Sequence, residues 1–287
     1  MKNSDLIHFD WAIKKILRDK ENFCILEGLF SLLLNRKVTI LEVLESESNQ
    51  QTAQQKFNRV DMMVKDDRDE LFIVEVQLSR DLYFMQRILF GTSKAISEHI
   101  KIGESYGSVK KIYSINVLYF DLGKGEDFIY HGKTTFTGLF KKDELQIQKR
   151  EEEFINGEKK YAEDVNIFPE YYLIRLNQFD GMAQNDLEEW IQFLKTGEIN
   201  ESTNAPGLQE AQEKLRVILM TDQERKEYEA HLDAIMTQND TIDAYKEEGI
   251  MEGLARGHAQ GLEEGHARGL EEGHAQGLEE GHAQGLE

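Results

Sequence analysis

With a single cysteine, Cys24, the chain can form no internal disulfide, and it reads as a protein of a reducing compartment, the cytoplasm. No run approaches the roughly 20 apolar residues of a membrane-spanning helix. The opening MKNSDLIHFDWAIKKIL lacks the uninterrupted apolar core of a signal peptide. Neither a span nor a leader is expected. Positive charge is scarce: 34 Lys and Arg stand against 54 Asp and Glu, net −20, which argues against indiscriminate binding to nucleic acid. There is no Gly-rich loop followed by Lys-Ser/Thr, no G-x-S-x-G elbow and no H-E-x-x-H. Their absence leaves no sign of P-loop, α/β-hydrolase or zincin chemistry.

The negative charge is unevenly spread. Residues 201–287 hold 20 acidic and 7 basic residues, net −13; residues 1–200 hold 34 and 27, net −7. A local basic surface is therefore compatible with the first 200 residues. Binding to a polyanion would use a few placed contacts plus a metal ion, or be weak. At 287 residues, 40% of them hydrophobic, the chain can hold one sizeable domain and an appendage.

The densest signal is VDMMVKDDRDELFIVEVQL, residues 60–78. Two apolar runs, 60–64 and 71–78, flank a polar segment. Asp-Asp-Arg-Asp at 66–69 is turn chemistry, so two strands joined by a tight connection are expected. Side chains alternate along a strand. Phe72, Val74, Val76 and Leu78 face one way; Leu71, Ile73, Glu75 and Gln77 face the other. Glu75 and Gln77 are polar neighbours on one face of an apolar strand, and Asp61 is near the start of its partner. Carboxylates in a buried strand need a partner, and a divalent cation is one. On a solvent-facing strand the same residues would be ordinary surface.

Around this hairpin, residues 9–17 and 23–34 have apolar positions at helical spacing, with Asn22 as an N-cap. Residues 38–44 alternate as a first strand or an extended lead-in, and the Gln-rich 45–58 reads as a loop. Phe84, Ile88, Leu89, Ser93 and Ile96 mark a helix reaching about His99, and 111–120 is strongly strand-like. Further strands are expected at 128–136, 145–147 and 171–176. A charged, exposed stretch is expected at 151–164, and a short helix at 187–195 closed by Gly197. Pro206 and Gly207 mark a linker over 199–209; an amphipathic helical arm over 210–248 and a repeat tail over 249–287 follow.

In that tail GHAQGLEE recurs with period eight from Gly257, and glycine recurs every four residues from Gly249 to Gly285. His258, His266, His274 and His282 turn by about 80° per repeat around a helix. They share no face, and a structural zinc site is not expected. Each glycine weakens a helix by roughly 1 kcal/mol relative to alanine. A marginal helix is expected, ordered when it packs or self-associates.

Asp61, a hairpin, then Glu75-Val76-Gln77 resembles the D…(D/E)-x-K signature of the PD-(D/E)XK nuclease fold, with Gln in the Lys position. More narrowly, nearly the whole chain resembles the Rpn family of bacterial recombination-promoting nucleases and transposase-like proteins. Asp10-Trp-Ala-Ile-Lys14, Arg59-Val-Asp61, Glu75-Val-Gln77-Leu-Ser79-Arg80, Leu173-Ile-Arg-Leu-Asn177 and the Gly-rich tail carry the resemblance. It implies an α/β fold over residues 1–198, a mixed central sheet flanked by helices in the order αβββαβ. It implies a DNA endonuclease dependent on Mg²⁺, with Mn²⁺ as a substitute. Asp61 and Glu75 would be metal ligands, with the Val76 carbonyl as an added oxygen. Gln77 can orient by hydrogen bonds but brings no charge. Asp10 would be a further acid, with Glu27 as the alternative. Arg80, Arg87 and Lys94 can contact DNA phosphates, or can belong to a solvated helix face with ion pairs to Asp81 or Glu98. A second functional reading keeps the fold with weak or no activity and has the arm and tail mediate self-association, as a homo-oligomer, or partner binding.

Overall fold

The computed structural model describes residues 9–15, 17–44, 61–100, 103–145, 153–155, 158–160, 166–216 and 220–284. Helices α1 (Phe9–Lys15) and α2 (Phe23–Leu34) lead into three strands, β1 (Ile40–Leu44), β2 (Met62–Asp66) and β3 (Leu71–Gln77). Helix α3 (Phe84–Glu98) and β4 (Ile112–Leu118) follow, completing the αβββαβ order. Beyond them lie β5 (Ile129–Gly132), the small antiparallel pair β6 (Glu153–Ile155) and β7 (Glu158–Lys160), and β8 (Glu170–Arg175). Helices α4 (Asp186–Thr196), α5 (Leu208–Lys214) and α6 (Asp222–Gln284) end the order.

Six strands form one mixed sheet in the order β1-β2-β3-β4-β8-β5. The first three are antiparallel, β3, β4 and β8 run parallel, and β5 returns antiparallel to β8. Parallel β3 and β4 need a crossover connection, and α3 is part of it. Both faces of the centre are covered, which is why β3 is buried from Leu71 to Val76. On one face Phe30 of α2 stacks on Phe72 at 4.9 Å between ring centroids. On the other, Leu71 and Ile73 pack with Met63, Ile112 and Ala95 of α3. Alternation puts Glu75 and Gln77 on this α3 side.

The hairpin turn is made by its acids. Asp66 accepts the backbone N–H groups of Arg68 (3.0 Å) and Glu70 (2.9 Å) on Oδ1, and Asp69 takes a left-handed φ of 62°. Fully buried, Asp66 also lies 3.4 Å from Arg36. Elsewhere, Asn185 caps α4 by accepting the Glu188 N–H at 3.0 Å, and Gly197 (φ 72°) closes it.

Several expectations change. Asn22 stands at the start of α2, but its side chain makes no capping bond, because a short 3₁₀ turn (Lys20–Asn22) already leads into the helix. The strand expected over 128–136 is limited to β5, and an isolated bridge, Thr137 to Glu144, follows it. Residues 199–209 hold buried Thr203, Ala205 and Leu208 instead of running free. A Cβ on Gly28 would overlap the Pro206 carbonyl oxygen, and Trp190 Nε1 donates to that same oxygen at 2.9 Å. The helical arm expected over 210–248 is broken between α5 and α6. Thr221 restarts it, its Oγ1 accepting the Glu224 N–H while the Glu224 carboxylate takes the Thr221 N–H. The Gln-rich loop at 45–58, Arg59, the end of the strand expected at 145–147 and most of 151–164 lie outside the described residues.

The chain divides into two compact units, Met1–Tyr228 and Glu229–Glu287. In the first, Tyr228 is buried and tilted against Trp11, with ring centroids 5.7 Å apart. The second is helical through Gln284, and Ile250, Met251, Leu254, Leu262 and Leu270 are exposed on it. Among the described residues, no helix is long and apolar enough to cross a membrane.

Candidate functional site

The C-terminal half of β3 gathers the residues singled out from the sequence. Asp61 immediately precedes β2, and its Oδ2 accepts the backbone N–H of Val76 at 2.7 Å. Its own carbonyl accepts from Arg18 Nη2 at 2.5 Å. A carboxylate 15 positions away in sequence is thus seated beside Glu75-Val76-Gln77, which strand alternation alone does not accomplish.

Glu75 is only 5% exposed. Burial, opposed in part by Arg87 and reinforced by the Asp61 charge, pushes its carboxyl above the ordinary glutamate range. Arg87 comes from α3. Its Nη2 donates to Glu75 Oε2 at 3.3 Å and to Gln77 Oε1, and its Nη1 lies 3.4 Å from Asp81 Oδ2. Gln77 Nε2 donates to the Ser79 carbonyl at 2.9 Å. Asn116 of β4 is in register with Glu75 and fully buried. Its amide donates to Ser114 and to the Tyr172 carbonyl, while among the described residues its Oδ1 has no partner.

The other predicted residues fall in different places. Asp10 is buried on α1, close enough to Tyr119 to reinforce the upward push that burial gives that phenol. The Tyr119 N–H donates to the Gln77 carbonyl at 3.0 Å, so Asp10 reaches the same end of the sheet. It does not complete a three-carboxylate group with Asp61 and Glu75: among the described residues, no three His, Cys, Asp or Glu side chains gather to hold a metal ion. Glu27 accepts the Ile40 N–H at 2.7 Å and fastens β1 to α2. Arg80 is exposed, Lys94 pairs with Glu98 at 3.4 Å, and Arg87 pairs with Glu75 and Asp81. Sequence reasoning missed Arg18, Asn116 and Tyr119. The first contacts backbone, the others gain meaning only through the β3–β4 register, and no local pattern announces them.

The donor set suits an oxygen-seeking divalent cation. Two carboxylates and the Val76 carbonyl are hard oxygen donors. Asp61 raises the pKa of Glu75 by charge repulsion, the sign of a pair that a cation would stabilise. The model of the PD-(D/E)XK nuclease family transposases matches residues 7–245. No curated protein and no solved structure matches the chain significantly. The family match spans the whole αβββαβ core, including the Asp61 to Gln77 hairpin, and the chain belongs to the PD-(D/E)XK nuclease family transposases.

Proposed function

We propose that the chain is a Mg²⁺-dependent DNA endonuclease, with Mn²⁺ as a substitute, serving recombination or transposition in a bacterial cytoplasm. The observation that carries this reading is the Asp61 carboxylate fixed on the Val76 N–H beside buried Glu75. Asp61, Glu75 and the Val76 carbonyl would hold the cation, which when bound would neutralise phosphate charge and activate water. The chain's own part is to hold these oxygens ready. The Val76 N–H fixes the Asp61 carboxylate, and the strand buries Glu75 so that little water competes for it. Exposed Arg80 is available to a phosphate, and Lys94 would have to leave Glu98 to reach one.

Incubation of the full chain with supercoiled plasmid tests this. Conversion to open-circular or linear DNA is expected with Mg²⁺ or Mn²⁺ and not with chelator. Equal conversion in both contradicts it. A second reading, a nuclease fold acting through association, is favoured by the apolar residues exposed on the second unit, Ile250, Met251 and Leu254 among them.

A further inference from the structure

The motif position that Gln77 occupies holds a lysine in the pattern it resembles, so the strand brings no positive charge of its own to the site. Arg87 brings one from α3. Its Nη2 reaches both Glu75 Oε2 and Gln77 Oε1, its Nη1 lies 3.4 Å from Asp81, and its guanidinium carbon sits 5.4 Å from the Phe84 ring centroid. The side chain is 31% exposed, so the cation touches the buried carboxylate on one side and solvent on the other. Among the described residues its buried Nε has no hydrogen-bond partner, which leaves a donor unused. Gln77 is anchored from its other end: Nε2 is committed to the Ser79 carbonyl, and Oε1 is left to accept from Arg87.

We propose that Arg87 is the phosphate-binding cation of this site and that Gln77 is its positioning residue. The amide at 77 holds the guanidinium where a lysine charge would otherwise arise from the strand, and Arg87 contacts the phosphate of bound DNA. This rests on the nuclease reading and names the residue that grips its substrate. It also accounts for the amide. A lysine at 77 would place two cations in contact in a partly buried pocket, which disfavours both charges, whereas the glutamine carbonyl accepts a hydrogen bond from the guanidinium. A guanidinium with several donors suits a phosphate oxygen pair.

Four full-length proteins decide the matter: wild type, Arg87→Gln, Gln77→Lys and the double variant. In thermal unfolding, Gln77→Lys is expected to lower Tm when Arg87 is present and to leave it nearly unchanged when residue 87 is Gln. In chelator, with a short DNA duplex and a salt titration, Arg87→Gln is expected to reduce the slope of log affinity against log salt by about 1. Gln77→Lys in the double variant is expected to restore that slope. In Mg²⁺ or Mn²⁺, plasmid cleavage should fall by about a hundredfold in Arg87→Gln and recover in the double variant. A purely structural Arg87 would not be rescued by charge returned on the strand. An unchanged salt slope in Arg87→Gln, or no recovery in the double variant, overturns the proposal. Should Arg87→Gln fail to fold, Arg87→Lys carries the test, with the wild-type slope expected and a reduced slope contradicting. Absence of cleavage by wild type, with the stability coupling and salt slopes as expected, removes the nuclease reading and leaves Arg87 as the DNA-contacting cation.

Discussion

Glu75 shows most clearly how one residue's surroundings set its chemistry. Burial, then the neighbouring Asp61 charge against the opposing pull of Arg87, leaves its carboxyl above the ordinary value of 4.5. The folded protein therefore holds that proton more tightly than the unfolded chain does. The resulting contribution to stability is complete below the ordinary glutamate pKa and is lost as pH rises through the folded value. Glu75→Gln removes the ionisation, so in chelator its Tm relative to wild type is expected to rise as pH climbs from the ordinary glutamate value of 4.5 towards neutrality. A difference that is flat or falls over that range contradicts the account. Alternation along the strand made the shared face of Glu75 and Gln77 legible in the sequence. Their contact with Arg87, ten residues beyond Gln77, depends on how the crossover helix lies on the sheet. The Asp61 bond to Val76 ends on a backbone N–H, which carries no residue identity to read.

At the scale of elements, helical and strand periodicities anticipate α2, α3, β3, β4 and α4, because each has one strongly apolar face or is apolar throughout. The α5–α6 break was also written locally: Thr221-Asp222-Gln223-Glu224 has the spacing of a capping box. Apolar periodicity continuing on both sides concealed it. Pro206 and Gly207 read as a linker because turn residues signal local conformation, not whether another element packs on them. In the fold they lie against α2, and this makes a sharp contrast between glycines. Gly28→Ala would drive a Cβ into the Pro206 oxygen, and overpacking of that kind destabilises by about 1–3 kcal/mol. A methyl group at Gly257 of helix α6 would have nothing within 4 Å of it, so Gly257→Ala is expected to strengthen the helix by about 1 kcal/mol. Thermal unfolding followed by circular dichroism should show a lower Tm for the first variant and equal or greater helicity for the second. Equal stability of Gly28→Ala and wild type would contradict the close approach of α2 to this turn.

For the whole molecule, the first compact unit runs on to Tyr228, past the end of the domain expected at residue 198. Ala205, Leu208, Ala211, Leu215 and Tyr228 are all buried in the first unit, and Lys15 pairs with Glu227 at 3.3 Å. A chain ending at Tyr228 is expected to keep one cooperative unfolding transition, whereas a chain ending at residue 200 loses that apolar burial and unfolds more readily. Sedimentation of the full chain beside the chain ending at Tyr228 tests association: a higher-order species confined to the full chain supports a role for residues 229–287, and two monomers remove it. The mixed sheet and αβββαβ order were legible because several independent motifs occur in one order along the chain. The division into units was not, since the Gly-repeating sequence begins at Gly249, well after buried Tyr228. The central claim concerns the first unit and its paired carboxylates. Cleavage of supercoiled plasmid in Mg²⁺ or Mn²⁺ by wild type, Asp61→Ala and Glu75→Ala, with folding of each checked by circular dichroism, tests it most directly. Wild type is expected to cut and both folded variants to lose cleavage; cutting by both variants at the wild-type rate would contradict the account.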